Sequence, residues 1–189
     1  MLALDSDGDS VFEGQVAPTA TLTGVQADDV APPEISFGGL IDGARFAHSD
    51  SLVLSITASD ALSGVATTSV ELDGARTEQN SIIELFDFSL GDHEIIATAI
   101  DALGNARRES LRLTVYANKE SIERDILKMN GMGWLSAGVG DELVSRVRGL
   151  TEENTAVLLN DLALYRDRCY MTREAYEVLK SNIDSLNYE

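Results

Sequence analysis

The sequence predicts a mainly β chain with a separate α region: an antiparallel β-sandwich over residues 34–117, then a small four-helix bundle over 118–189. Three observations carry this. Short apolar runs with period-two alternation recur at sandwich spacing up to about residue 117. From Asn118 the apolar residues recur instead at helical spacing, between helix-capping residues. The charge balance shifts at the same place. Residues 1–117 carry 19 Asp and Glu against 5 Lys and Arg, whereas residues 118–189 carry 13 against 9.

The elements follow in order. Residues 1–25 read as a terminal β-hairpin, the last of a truncated preceding domain. Its arms are residues 2–4 and 15–22, with Val16, Ala20 and Leu22 sharing parity. Residues 26–33 read as a linker, because Pro32-Pro33 donates nothing to a ladder and favours extended chain. In the sandwich, Leu52, Leu54, Ile56 and Ala58 share one face of a strand over 51–58. Val70 and Leu72 lead into Asp73-Gly74, a two-residue hairpin turn. Ile83 and Leu85 follow. Ile95, Ala97 and Ala99 alternate with Glu94 and Thr98, and Leu111, Leu113 and Val115 close the sheet.

In the α region, Asn118 caps a helix carrying Ile122, Ile126, Leu127 and Met129, stopped by Asn130-Gly131. A second helix spans Val139–Arg148, with Leu143 and Val147 on one face. Thr151 caps a third, with Leu158, Leu159, Leu162 and Tyr165 inward. Thr172 caps a fourth, with Ala175, Leu179, Ile183 and Leu186 inward. Short connections make antiparallel neighbours.

One segment carries site chemistry: Asp5-Ser6-Asp7-Gly8-Asp9-Ser10-Val11-Phe12-Glu13. Calcium takes six to eight oxygens, and a loop supplies them from alternate side chains, a carbonyl and a later acid. Asp5, Asp7, Asp9, the Val11 carbonyl and Glu13 occupy those places, so calcium is the expected cofactor. Two positions depart from the helix-loop-helix pattern. Ser10 stands where glycine makes the sharp turn, and Val16 stands where the bidentate Glu would be. The competing reading is a solvated acidic turn, since Asp and Gly dominate turns anyway.

Other candidates each have a plainer reading beside them. Asp60 with Ser63-Gly64 and Asp101 with Gly104-Asn105 sit at matching strand ends, where they would share a second cation or cap their own turns. The turn is the stronger expectation. His48 and His93 are the only histidines, and no nucleophile elbow or zinc-binding motif accompanies either. Asp87, Asp92 and Glu94 read as a solvated acidic loop rather than a glycosidase pair. Cys169 is the one cysteine, so no internal disulfide forms, and a buried small hydrophobe is expected. Trp134, Tyr165, Tyr170, Tyr176 and Tyr188 read as bundle core, with Tyr170 the best candidate for exposure.

Net charge is −18. Such a surface repels phosphate backbones and anionic membranes, so neither nucleic acid nor membrane insertion is expected. No apolar window reaches a membrane span. No secretory signal opens the chain. The chain is nevertheless read as extracellular or cell-surface, its leader lying in a truncated part.

Four motifs give a resemblance. Residues 56–65 (Ile-Thr-Ala-Ser-Asp-Ala-Leu-Ser-Gly-Val), 71–74 (Glu-Leu-Asp-Gly), 90–95 (Leu-Gly-Asp-His-Glu-Ile) and 99–105 (Ala-Ile-Asp-Ala-Leu-Gly-Asn) resemble the bacterial Ig-like repeats of secreted proteins. The likeness covers about residues 33–117 and implies an Ig-like sandwich. The helix rhythm and the Gly133-Trp134-Leu135-Ser136 corner resemble FIMAH-type helical domains of bacterial extracellular proteins. A sandwich hosts many roles. The resulting expectation is a non-catalytic extracellular module, a calcium-stiffened spacer and interaction tail of a larger secreted or cell-surface bacterial protein. Its partners would be upstream domains and a protein or glycan ligand. The alternative is a carbohydrate-binding accessory module of a secreted hydrolase, which needs a row of exposed aromatics.

Overall fold

The structure, a computed structural model, describes residues 29–187. The hairpin over 1–25, the loop of Asp5, Asp7, Asp9, Val11 and Glu13, and Tyr188 lie outside them. Among the described residues nine strands precede four helices, in the strands-then-helices order that the alternation and the caps predict. The strands are β1 (Glu34–Gly38), β2 (Ala44–Ala47), β3 (Ser51–Val53), β4 (Ser55–Ser59), β5 (Val65–Leu72), β6 (Ala75–Thr77), β7 (Ile82–Glu84), β8 (Gly91–Asp101) and β9 (Ala106–Tyr116). A 3-10 turn, Leu85–Asp87, follows β7.

One layer is a five-stranded sheet in the order β2-β9-β8-β5-β6. The other is built from two pairs, β1-β4 and β3-β7. The single strand predicted over 51–58 is broken at Leu54, because its two halves pair with different partners. Leu54 is fully buried at the break. Its N–H donates to the Ser81 carbonyl, and its carbonyl accepts from the Asn80 N–H. Between the layers pack Leu52, Ile56, Val70, Ile95, Leu111 and Leu113, with their neighbours of like parity. The β2–β9 pair is parallel, Arg45 lying opposite Thr114, a detail that alternation does not reveal. Asp73 and Gly74 turn β5 into β6 at φ of 51° and 77°. Positive φ at both central positions is the geometry of a type I′ hairpin.

The helices are α1 (Lys119–Gly131), α2 (Val139–Arg148), α3 (Glu152–Asp167) and α4 (Arg173–Asp184). Asn118 Oδ1 accepts the Ser121 N–H at 2.7 Å, and Ser121 Oγ accepts the Asn118 N–H at 3.0 Å. This capping box starts α1 two residues after β9 ends. Thr172 caps α4 through the Ala175 N–H at 3.2 Å. The α1–α2 corner and the α3–α4 corner are stitched together. Ser136 N–H donates to the Tyr170 carbonyl and Thr172 N–H to the Trp134 carbonyl.

Two inward assignments change. Leu127 is 57% exposed, because the buried stripe of α1 is Ile122, Ile126 and Met129 and residue 127 turns away from it. Cys169 is exposed rather than buried. It lies just past α3 at φ 60°, where the chain makes the left-handed turn that stops the helix. That places it off the apolar face.

Candidate functional site

β8 runs from Gly91 to Asp101, roughly 33 Å at 3.3 Å per residue. The two ends of the sandwich therefore lie far apart, and each carries a distinct cluster.

At the Asp101 end three carboxylates converge. Asp29, Asp60 and Asp101 offer oxygens all within 4.8 Å of one another. Asp101, 2% exposed, accepts the Leu103 and Asn105 N–H groups through Oδ1 at 2.9 and 2.8 Å. Its Oδ2 accepts Asn105 Nδ2 at 2.7 Å. Burial alone would raise its pKa, but these bonds outweigh it and hold the carboxyl below the usual range. Asp60 Oδ1 accepts the Leu62 and Gly64 N–H groups at 3.1 and 2.8 Å. Each side chain thus caps its own turn, as the turn reading expects.

Asp29 was not singled out in the sequence. It lies in the segment read as a linker, yet it is 5% exposed. Its carboxylate accepts the Ala31 N–H at 3.0 Å and the Ser63 N–H at 3.1 Å. Bonds from Ser63 and then from Ala31 hold its pKa low. Its carbonyl accepts Asn105 Nδ2 at 2.8 Å. The chain is clamped to this pole before β1 begins. Chemically, three anionic oxygens at this spacing suit a hard cation that takes oxygen ligands.

The opposite end carries the seam with the bundle. His48, in the β2–β3 turn, is 2% exposed, and Asp125 on α1 and Asn182 on α4 are equally buried. His48 Nδ1 lies 2.8 Å from Asp125 Oδ2. Asn182 Nδ2 donates to the same oxygen at 2.9 Å. Phe86, 4% exposed, belongs to the sandwich chain but packs in the helical core. Its ring lies 5.5 Å from that of His48 and 5.9 Å from that of Trp134. Two ion pairs rim the seam, Arg124 to Asp50 at 3.1 Å and Lys128 to Glu84 at 3.0 Å. The Lys128 ammonium also sits 4.6 Å from the Phe86 ring centroid. A buried polar knot, an apolar contact and an ionic rim thus meet where the two units touch.

Sequence reasoning missed this knot. Its members lie 77 and 57 positions apart, and no motif joins them. One signal was present: Asp125 and Asn182 each occupy a position on their helix's apolar stripe, beside Ile122 and Ile126 and beside Leu179 and Ile183. A polar residue there needs a buried partner.

His93 is 6% exposed on β8, with Asp73 and Ser89 at its two ring nitrogens. Asp87, Asp92 and Glu94 are exposed, and Asp92 accepts the Thr114 hydroxyl at 2.7 Å. They do not converge on a cleft. A groove of about 530 Å³ lies where sheet and bundle meet, between Arg45, Leu90, Tyr116, Lys119 and Leu186. Tyr170, 45% exposed, is the one aromatic among the exposed large apolar residues described.

No family model and no curated protein matches the chain. Among solved structures it is similar to the fibronectin(III)-like modules of Clostridium thermocellum CbhA. That likeness has 19% identity, covers 44% of this chain and 46% of that one, and has a TM-score of 0.36. A second is the endo-beta-1,4-mannanase from Thermotoga petrophila, at 15% identity over 48% of this chain and 21% of that one, TM-score 0.39. A third is SGBP-B of the Bacteroides ovatus mixed-linkage glucan utilization locus, in complex with a mixed-linkage heptasaccharide. It matches at 16% identity over 45% of this chain and 24% of that one, TM-score 0.29. The chain spans less than half the length of each. At this distance the likenesses assign neither ligand nor activity.

Proposed function

We propose that the chain is a non-catalytic extracellular module, a stiff two-part spacer and interaction tail within a larger secreted or cell-surface bacterial protein. The observation that carries this is the position of the two clusters. The chain is clamped at the Asp29 pole, crosses the length of the sandwich, and leaves at the opposite end into a bundle locked on by His48, Asp125, Asn182 and Phe86. A sandwich tied to its entering segment at one end and to the bundle at the other suits a part that holds position. In the glycan-binding alternative a row of exposed rings would face the ligand, and among the described residues the exposed Tyr170 makes no row. Among the described residues no helix is long and apolar enough to cross a membrane.

The test is a distance. Spin labels at Arg108→Cys and Glu174→Cys, in a Cys169→Ser background, report across the seam. A single narrow distribution is expected. A broad or bimodal one would mean a hinged pair and sink the spacer reading.

Calcium is the second part of the proposal. Asp5, Asp7, Asp9 and Glu13 would give side-chain oxygens and Val11 its carbonyl, and the cation would relieve the repulsion among the clustered carboxylates. Ser10 in place of glycine resists the tight turn. Affinity is therefore expected roughly in the 10⁻⁴ to 10⁻³ M range of extracellular modules. Calorimetric titration of the wild type and of Asp7→Ala checks it, with Asp101→Asn separating the loop from the Asp29 pole. Heat lost in Asp7→Ala but kept in Asp101→Asn supports the loop. Equal heats in wild type and Asp7→Ala would leave it an acidic turn.

A further inference from the structure

We propose that His93 is a proton-operated clasp, holding the tip of the β5–β6 hairpin and the loop at residues 88–90 onto the five-stranded sheet. His93 Nδ1 lies 2.6 Å from Asp73 Oδ2, and Nε2 lies 2.9 Å from the Ser89 carbonyl oxygen. Both partners are acceptors. Neutral imidazole has one N–H, so it satisfies one of them and turns a lone pair on the other. Imidazolium donates to both. The ring is 6% exposed, so water does not readily replace a lost partner. Phe88 meets it edge-on at 5.6 Å.

Asp73 is itself committed. Its Oδ1 accepts the Glu94 N–H at 3.0 Å, and its backbone N–H donates to the Glu94 carbonyl at 2.9 Å. The left-handed turn at Asp73-Gly74 is thereby pinned to β8. The other charged groups nearby are Asp92 and Glu94 on the same strand, which face the opposite side of the sheet, and Arg112 on β9, opposite Glu94. Burial pulls the His93 pKa down, but the bonds to Asp73 and Ser89 and the charges of Asp73 and Asp92 outweigh it and raise it. Burial pushes Asp73 up, and its bonds to His93 and Glu94 bring it below the usual range.

The sign follows. A proton held more tightly in the folded state stabilises it fully below the ordinary histidine value of about 6.5. That contribution is lost as pH rises through the raised folded value. The Asp73 contribution is lost only in acid, as pH falls through a lowered carboxylate value. The clasp is closed between these limits and opens toward alkaline pH. Leu90 and Gly91 line the groove between sheet and bundle, so opening loosens one wall of it.

Hydrogen exchange on the full chain tests this, at about pH 5.5 and about pH 8.5, either side of the histidine range, corrected for intrinsic rates. Protection of residues 73–77 and 88–91 is expected to fall on the order of tenfold or more at the higher pH, the worth of one charge-assisted hydrogen bond. His93→Gln should abolish the difference. Nitrogen NMR of the wild-type ring is independent of any variant's folding. It should show both nitrogens protonated at the lower pH. Equal protection at both pH values, the same pH dependence in His93→Gln, or a neutral ring at the lower pH would each overturn the clasp.

Discussion

Asp125→Ala is expected to cost about 3–5 kcal/mol, because it leaves two buried groups without their shared hydrogen-bond partner, at about 1–3 kcal/mol each. Asp125 is fully buried. Its Oδ2 serves both His48 Nδ1 and Asn182 Nδ2, at 2.8 and 2.9 Å. The variant leaves two buried donors in an apolar seam without their acceptor, and those donors belong to the sandwich and to α4. The loss falls on the coupling between the units through His48 and on the α1–α4 contact through Asn182. Urea unfolding followed by two probes, the Trp134 fluorescence of the bundle and the far-ultraviolet signal of the whole chain, should give separated midpoints. A surface control, Arg124→Ala, removes only the half-exposed pair to Asp50 and should cost under about 1 kcal/mol. If Asp125→Ala and Arg124→Ala destabilise equally, the knot does not hold the seam.

Phe86→Ala is expected to cost about 3–5 kcal/mol as well, through the cavity it opens. The ring is 4% exposed and fills the space between His48, Trp134 and the helical core. Its loss also removes the surface under the Lys128 ammonium. A contrast within the same turn is Asp87→Ala, exposed and outside both cores, which should stay within about 0.5 kcal/mol. A shift of the urea midpoint for Phe86→Ala no larger than that of Asp87→Ala would show that the ring is a bystander. The two seam variants should not add, since Phe86 and the knot share a boundary and residues in contact couple.

The parts legible in the sequence were those encoded locally. Alternation around Ile95, Ala97 and Ala99 reports a strand with one buried face. Asp73-Gly74 demands a mirror-image turn, and Asn118, Thr151 and Thr172 mark where helices start. Asp60 and Asp101 were legible as turn caps for the same reason. What the sequence hid is encoded by distant pairs. The parallel pairing of β2 with β9 follows from tertiary packing, and no residue of β2 announces it. His48, Asp125 and Asn182 meet only once both units are in place. Asp29 was hidden by the prolines after it, which read as linker although the carboxylate before them is clamped. Leu127 and Cys169 were misplaced because hydrophobicity was weighed without helix angle or left-handed turn geometry.

Scanning calorimetry of the unmodified chain tests the central claim, that sandwich and bundle behave as one body. A single transition is expected, its calorimetric enthalpy equal to its van't Hoff enthalpy, and it should split in two in Asp125→Ala. Two resolved transitions in the unmodified chain would contradict it.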